Sequence, residues 1–446
     1  MEFGREMKGV QQSIRHQTTN MRIFAAIIAV AICCAIESKG DTTSAENTIY
    51  DSDTNHLWNR LNETLFERTA QDGKKYGLDE LDILYWVRTT NLLSGVSHQR
   101  AMAVLNKFIN SHGEKLIPDP LKRALLQRDL WELFDWSAGT SWYPVYVSGQ
   151  HHLLTGQFSE ERRELQSRLA LVIRRLALTT NEIASLPNNY ELAERNHLSD
   201  LPRGLFNTNG DWVSVGNKNE NLTAPIHVSQ FHGRSVFCVM VHLPDGRQAA
   251  IDYLNHLRSI KSMWIDGNQL NPDLPQFPTN TEWALVRRMC VIDTEGRIQP
   301  TPVTESIQIR HYSEIKGMSR SPDAQQLFEY VLDHRQNGAL RAIGQDEKGF
   351  ATVHFMGQGI DLFEEQTEDD SAALQNVVLK TCIDCHSPRG IFSVSSYTRS
   401  FPVPVVSQLP ADLTPLDPNH EVTGTIEWKH RQSDWKLLHG LWNQGN

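Results

Sequence analysis

The 446-residue chain lacks the short motifs that would assign it a function at once. It has no Gly-x-x-x-x-Gly-Lys phosphate loop, no Gly-x-Ser-x-Gly nucleophile elbow and no His-Glu-x-x-His zinc helix. It also has no internal repeat and no long low-complexity tract. These absences leave the common nucleotide-dependent, serine-hydrolase and zinc-peptidase classes without support.

A surplus of basic residues is also missing. The chain has 43 Lys and Arg against 53 Asp and Glu, a formal net charge of -10. A protein that binds nucleic acid needs positive charge to neutralise phosphates. The composition therefore argues against a nucleic-acid partner.

Long apolar runs are scarce, and the longest lies near the N-terminus. It extends from Ile23 to Ile36, 14 residues, whereas a membrane span needs about 20. Its length suits the apolar core of a secretory signal, and Ala35, Ser38 or Gly40 offers a small residue for cleavage. We expect residues 1–40 to be a signal peptide with a leader, and the protein to be exported to the periplasm or cell envelope. Membrane association is expected only through this segment.

Cysteine is sparse, and the chain contains 6 in total. Cys33 and Cys34 belong to the predicted signal, so the mature chain keeps four: Cys238, Cys290, Cys382 and Cys385. Unpaired thiols are unusual in an oxidising compartment. Cys238 and Cys290 either bridge adjacent strands or are two buried apolar residues, because sequence does not fix their separation.

Apolar periodicity predicts an all-α domain over residues 55–200, with five or six helices. Asp119 followed by Pro120 is a typical helix start, with the acid as N-cap and proline in the first turn. Thr179 stands three residues before Glu182, the spacing of a capping box.

The period then changes, and residues 205–345 are predicted to form a small β-rich module with a helical extension. "SVFCVMVHLPDGRQAAIDYL" predicts two strands around a Pro-Asp-Gly turn. "WALVRRMCVIDTEGRIQPTPVTESIQIRHY" predicts a hairpin around Asp-Thr-Glu-Gly. The extension covers residues 321–345, which we expect to be partly helical.

Residues 350–446 are predicted to be helical again. "SAALQNVVLKTCIDCH" predicts a helix that runs into a cysteine motif, and the acidic run from Asp361 to Asp370 suits the first turn of that helix. The alternative is a docking patch for a cationic redox partner. The last segment, "TIEWKHRQSDWKLLHGLWNQ", predicts one helix with Trp428, Trp435 and Trp442 on a single stripe.

The motif itself is the most informative stretch of the chain. Cys382, Cys385 and His386 stand at positions i, i+3 and i+4, so at helical pitch their side chains share one face. Two thiols at this spacing can add to the two vinyl groups of one porphyrin, and the adjacent His can reach the iron. A zinc site would need two more ligands at similar spacing, and a thioredoxin-like dithiol would follow a strand. A disulfide between Cys382 and Cys385, within the four-residue loop, is the simplest alternative to haem attachment.

Residues 350–446 resemble a c-type cytochrome, and the specific part of the resemblance is "CIDCH". It implies one covalently attached haem c, thioethers from Cys382 and Cys385, iron ligation by His386, and electron transfer with a redox partner protein. The chain departs from the common mono-haem class because no Met follows His386 and no Gly-Pro-x-Leu turn is present. Its general character also resembles secreted proteins of planctomycete-like bacteria that carry a C-terminal haem motif, which implies no activity.

The sixth iron ligand is open. His439 lies on the tryptophan stripe and His420 in the loop "LDPNHEVTG", while Met356 and His354 lie upstream of the motif. A five-coordinate iron would leave room for a small ligand. Two alternatives to an electron carrier therefore remain: a haem-dependent, peroxidase-like oxidoreductase, and a non-catalytic envelope protein with a Cys382–Cys385 disulfide.

The sequence as a whole predicts a mixed, multi-domain protein. An α-helical N-terminal half precedes a small β-rich middle module and an α-helical cytochrome c-like C-terminal domain. An electron carrier is the favoured function, ahead of an enzyme.

Overall fold

The computed structural model describes most of the chain from residue 49 onward. The described residues are 49–69, 75–78, 91–138, 158–217, 222, 224–260, 264–265, 269–271, 273–315, 325–343, 390–391, 393–394, 413–415 and 419–444. Helices precede and follow an antiparallel sheet, so the predicted mixed class is confirmed.

The helices of these ranges are α1 (Leu57–Phe66), α2 (Gly95–Asn110), α3 (Pro120–Ser137), α4 (Ser159–Leu176), α5 (Thr180–Ala184), α6 (Asn189–Arg195), α7 (Pro225–Gln230), α8 (Arg247–Ser259), α9 (Asn419–Arg431) and α10 (Ser433–Gln444). The predicted helix starts are confirmed where the caps were expected. The Asp119 carboxylate accepts from the Leu121 amide at 2.8 Å with Pro120 in the first turn. Thr179 and Glu182 form a reciprocal capping box at the start of α5.

The strands are β1 (Arg68–Thr69), β2 (Lys75–Tyr76), β3 (Val213–Asn217), β4 (Ser235–His242), β5 (Trp264–Ile265), β6 (Gln269–Leu270), β7 (Thr281–Ile292), β8 (Ile298–Tyr312), β9 (Gln325–Asp333), β10 (Ala339–Ala342) and β11 (Leu413–Pro415). Seven of them form one sheet in the order β10-β9-β8-β7-β4-β3-β11. The other four form two short ribbons, β1 with β2 and β5 with β6. The predicted hairpin around Asp-Thr-Glu-Gly is confirmed as β7–β8, and Gly296 takes the positive φ of 77° in its turn.

Two local predictions are wrong. The second strand expected after the Pro-Asp-Gly turn is helix α8, because Ala250, Leu254 and Leu257 recur at helical spacing and are buried. The helical extension expected over residues 321–345 is the β9–β10 hairpin. Its turn contains Asn337-Gly338, both at positive φ, which is a strong hairpin signal.

Alternation along the central strands gives the sheet two buried faces. The first face, here called the helical-core face, packs on α1–α4, α6 and α10 and includes Cys238, Met240, Ala284, Val286, Ile307 and Ile309. The second face, here called the α8 face, packs on α8 and includes Phe237, Val239, Val241, Trp283, Leu285 and Tyr312. Since N-terminal helices, sheet and C-terminal helix share the first core, and residues 49–446 form one compact unit, a division into separate domains receives little support.

The C-terminal segment forms two helices, so the prediction of a single helix is wrong. The chain breaks at Gln432, between α9 and α10. Trp435 and Trp442 are buried in the helical core, and the Trp435 ring lies 5.8 Å from Trp131. Trp428 packs instead against the core of the α8 face, so the three tryptophans do not form one stripe.

Candidate functional site

The motif residues Cys382, Cys385 and His386 lie outside the described residues, as do Met356, His354, the acidic run and the helix predicted before the motif. The chain is described again from Gly390, four residues after His386. The segment that contains Gly390, Ile391, Ser393 and Val394 is therefore the nearest described part of the chain after the motif.

That segment lies in a seat on the α8 face, defined here as Gln276, Arg310 and Tyr312. Ile391 and Val394 are fully buried there. The Ile391 amide donates to Gln276 Oε1 at 2.6 Å, and Arg310 Nη1 donates to the Ser393 carbonyl at 3.2 Å. The Tyr312 and Ser393 hydroxyls are hydrogen-bonded to each other. Backbone and side chain together fix this short segment on strand β8.

Gly390 is required at the entrance to the seat. Its φ is +53°, and a Cβ there would collide with the amide of Gln276. We expect Gly390→Ala to lower the free energy of unfolding by about 1–3 kcal/mol, through strain and a displaced Gln276. The matched control is Gly440→Ala in α10, where a Cβ meets nothing within 4 Å and alanine should add about 0.5–1 kcal/mol. Denaturant unfolding of both variants measures the difference, and equal effects would contradict the assigned seat.

The surroundings of the seat carry positive charge. Arg287 lies 4.4 Å from the centre of the Phe231 ring, and Phe231 packs on Phe237. The His227 ring stacks on Phe237 at 5.5 Å. Burial, followed by the charges of Arg310 and Arg287, lowers the pKa of His227 to about 4. The imidazole is therefore neutral at pH 7.

His227 predicts a measurable pH dependence. Its pKa falls from about 6.5 in the unfolded chain to about 4 in the fold, so the unfolded state takes up the proton first. This contribution to stability is present above pH 6.5 and is lost as pH falls toward 4, in total about 3 kcal/mol. We expect His227→Gln to flatten the stability profile across this window. Parallel profiles for wild type and His227→Gln would contradict the assignment.

A buried ion cluster joins α3, the turn before β4 and the two C-terminal helices. Lys429 Nζ lies 2.8 Å from Asp135 Oδ2 and 2.9 Å from Asp434 Oδ2. Arg234 Nη1 reaches the same Asp135 oxygen at 2.8 Å, and His232 Nδ1 reaches the same Asp434 oxygen at 3.0 Å. Burial opposes ionisation of Asp434, but Lys429 and the His232 hydrogen bond outweigh it and hold the pKa of that carboxyl well below its usual range.

Asp135, His232 and Asp434 also have the ligand types and the proximity of a metal site, with their ligand atoms within 4.8 Å of one another. The two carboxylate oxygens already share the Lys429 ammonium, which is fully buried between them. A divalent cation would have to displace this fixed positive charge. The cluster is best explained as an internal ion pair that holds α9 and α10 against α3.

The cluster continues as a chain of ion pairs along α3 and the sheet. Arg234 lies 3.5 Å from Glu132, and Glu132 lies 3.0 Å from Arg128. Arg128 reaches Glu305 at 3.0 Å, and Glu305 lies 3.4 Å from Arg287. The whole network balances four cations against four carboxylates: Arg128, Arg234, Arg287 and Lys429 with Glu132, Asp135, Glu305 and Asp434.

A second polar row crosses three neighbouring strands. His242, Glu282 and His311 are aligned partners on β4, β7 and β8. The Glu282 carboxylate lies 3.3 Å from His242 Nδ1 and 3.2 Å from His311 Nδ1. The three side chains are about a quarter exposed. Each imidazole lies within ion-pair distance of the Glu282 carboxylate, at the rim of the helical-core face, and the pair with His311 is also a hydrogen bond.

Of the residues predicted as a sixth ligand, His439 is the one whose side chain is described. It is exposed, its ring lies 5.9 Å from Trp435, and its Nδ1 lies 3.3 Å from Asn443 Nδ2. The tryptophans of its helix cover the helical core, whereas the seat that follows the motif lies on the α8 face. His420 belongs to α9, but its side chain is outside the description.

Cys238 and Cys290 are buried, and they do not form a disulfide with each other. Cys238 pairs with Val286 across β4 and β7, so Cys290 lies four residues further along its strand. That offset is about 13 Å, well beyond the roughly 7 Å that a disulfide spans between Cα atoms. Burial raises the pKa of the Cys290 thiol to about 12, which keeps it protonated and unreactive.

Sequence reasoning missed the charged residues that organise both the seat and the ion cluster. Asp135 follows Arg128 by seven residues and Glu132 by three, so the three charges share one side of α3, and this row of charges was an available signal. Arg310 had a weaker signal, as a charged residue between buried Ile309 and Tyr312 in a strand. Their partners could not be assigned, because Asp135 and Lys429 are 294 residues apart in the chain.

Searches against known protein families, curated proteins and solved structures give no significant match. Within the described ranges, no helix combines the length and the apolar character needed to cross a membrane.

Proposed function

We propose that this chain is an exported, mono-haem c-type cytochrome-like protein. Cys382 and Cys385 would hold one haem through thioethers, and His386 would ligate its iron. The observation that carries the proposal is the spacing of these three residues, which suits the two vinyl groups and the iron of one porphyrin. The haem would supply one-electron redox chemistry, and this chain would supply ligation, burial and charge.

The seat on the α8 face gives further support. Ile391 and Ser393 are hydrogen-bonded to Gln276 and Arg310, five and seven residues after His386. Five residues span at most about 18 Å, so a group attached at His386 would be held within that distance of this surface. A fixed attachment point is what a buried redox cofactor requires.

A haem protein with an open iron site is the second candidate. The position of His439 is compatible with it, because this exposed ring lies 5.9 Å from Trp435 of the helical core, whereas the seat lies on the opposite face of the sheet. An iron without a protein sixth ligand would bind small molecules and would allow peroxidase-like chemistry. The ferric absorption and EPR spectra decide between them: low-spin, six-coordinate iron supports the electron carrier, and high-spin iron supports the oxidoreductase.

The experiment that tests the proposed function is intact-mass analysis after export with the haem maturation machinery. We expect the mature chain to carry the added mass of one haem under denaturing conditions. A chain without that mass, and lighter by two hydrogens owing to a Cys382–Cys385 disulfide, would replace the proposal with the envelope-protein alternative.

A further inference from the structure

Arg310 is a buried charge with an unusual set of contacts. The Lys and Arg residues buried within the described ranges are Arg68, Arg128, Arg234, Arg310 and Lys429. Arg128, Arg234 and Lys429 each lie within 3.0 Å of a carboxylate oxygen. Arg310 is only 3% exposed, yet no described carboxylate lies within ion-pair distance of it, and its contact is the neutral Ser393 carbonyl at 3.2 Å.

Burial of a guanidinium without a counter-charge is unfavourable in free energy. The group loses its hydration, and one carbonyl oxygen replaces this with a single hydrogen bond but no negative charge. The guanidinium offers five N–H donors in a planar fork, of which the described residues use one. The remaining donors suit the two oxygens of a carboxylate.

The described neighbours of Arg310 do not supply the missing counter-charge. Arg287 is already balanced by Glu305 in the ion network. The His227 imidazole is neutral and brings no negative charge, and the Arg310 charge helps to keep it so. The Ser393 hydroxyl donates to the Gly390 carbonyl at 2.7 Å and is hydrogen-bonded to the Tyr312 hydroxyl, so both hydroxyls are engaged within the seat.

We infer that Arg310 is a binding site for the carboxylate group of a ligand. Two sources share this chemistry: a small free organic acid, and a propionate of the haem proposed above. The first source is independent of the proposed function, whereas the second rests on it.

The test uses the full chain in two forms, one produced without the haem maturation machinery and one exported with it. The probe is sodium acetate, compared with sodium chloride at equal ionic strength and pH 7, and the readout is the midpoint of thermal unfolding. We expect acetate to raise the midpoint of the haem-free wild type. Arg310→Met should weaken the apparent acetate affinity at least about tenfold, the loss of one charge-assisted hydrogen bond.

Two further variants keep the result interpretable. Arg247→Met is the matched control, because Arg247 also donates to carbonyls, those of Gly210 and Trp212, but lies away from the seat; it should keep the acetate response. Arg310→Lys retains the charge without the planar fork and should show an intermediate response if Arg310→Met does not fold.

The outcomes separate the two sources. Acetate stabilisation of the haem-free form alone assigns the site to a haem propionate. Stabilisation of both forms, or of a chain that never acquires haem, assigns it to a free organic acid. The inference is overturned if wild type and Arg310→Met respond alike, or if Arg310→Met destabilises the haem-free chain without any acetate response, since that result indicates a counter-charge from the chain itself.

Discussion

Replacing Lys429 with methionine is expected to lower the free energy of unfolding by about 3–5 kcal/mol, the usual cost of removing one partner from a buried ion pair. The ammonium lies within 2.9 Å of both Asp135 and Asp434, and all three groups are buried. Without it, two carboxylates would share the site with Arg234, and one negative charge would lack a partner. Denaturant unfolding followed by circular dichroism measures this loss.

Lys436→Met is the matched control for this variant. Lys436 lies on α10 and is exposed, so its replacement should change stability by no more than about 0.5 kcal/mol. Combining Lys429→Met with Asp434→Asn should recover part of the loss, since the unpaired charge is then removed as well. A Lys429→Met variant as stable as the Lys436→Met variant would show that the cluster does not hold the C-terminal helices in place.

The second large effect is expected at the motif. If the proposed haem is present, replacing both Cys382 and Cys385 with alanine should abolish its covalent attachment, because both proposed thioethers would be lost, while either single variant would keep at most one attachment. Haem-associated peroxidase staining of denatured protein, quantified per chain, is the measurement.

Cys238→Ala is the control for the motif variants. It removes a thiol of the helical core and should keep the haem while losing roughly 1 kcal/mol of stability. Covalent haem that persists in the double variant would refute the assignment of the two cysteines. Loss of haem in Cys238→Ala at unchanged folding would do the same.

The parts of the fold that were predicted correctly are determined by residues close together in the sequence. The caps at Asp119 and Thr179 and the β7–β8 hairpin are set by residues a few positions apart, and they were predicted correctly. The strand expected in place of α8 was an error of a different kind. "AAIDYL" fits either structure by its own propensity, and burial of its helical stripe on the sheet decides the outcome.

The candidate site depended on contacts that local patterns do not encode. Arg310 meets Ser393 across 83 residues, and Asp135 meets Lys429 across 294. Their charges were visible in the sequence, but which charge meets which partner depends on the packing of distant elements. The Cys-x-x-Cys-His motif could be recognised in the sequence because its three functional residues lie within five positions.

The proposed function depends most on whether the chain carries haem. The most direct measurement is the absorption spectrum of the exported, denatured and reduced protein in alkaline pyridine, after acid-acetone extraction. We predict a c-type haemochrome with one haem per chain that survives extraction, as two thioether bonds require. A spectrum without haem, with Cys382 and Cys385 found joined as a disulfide, would contradict the proposed function and leave an envelope protein built around the buried ion network.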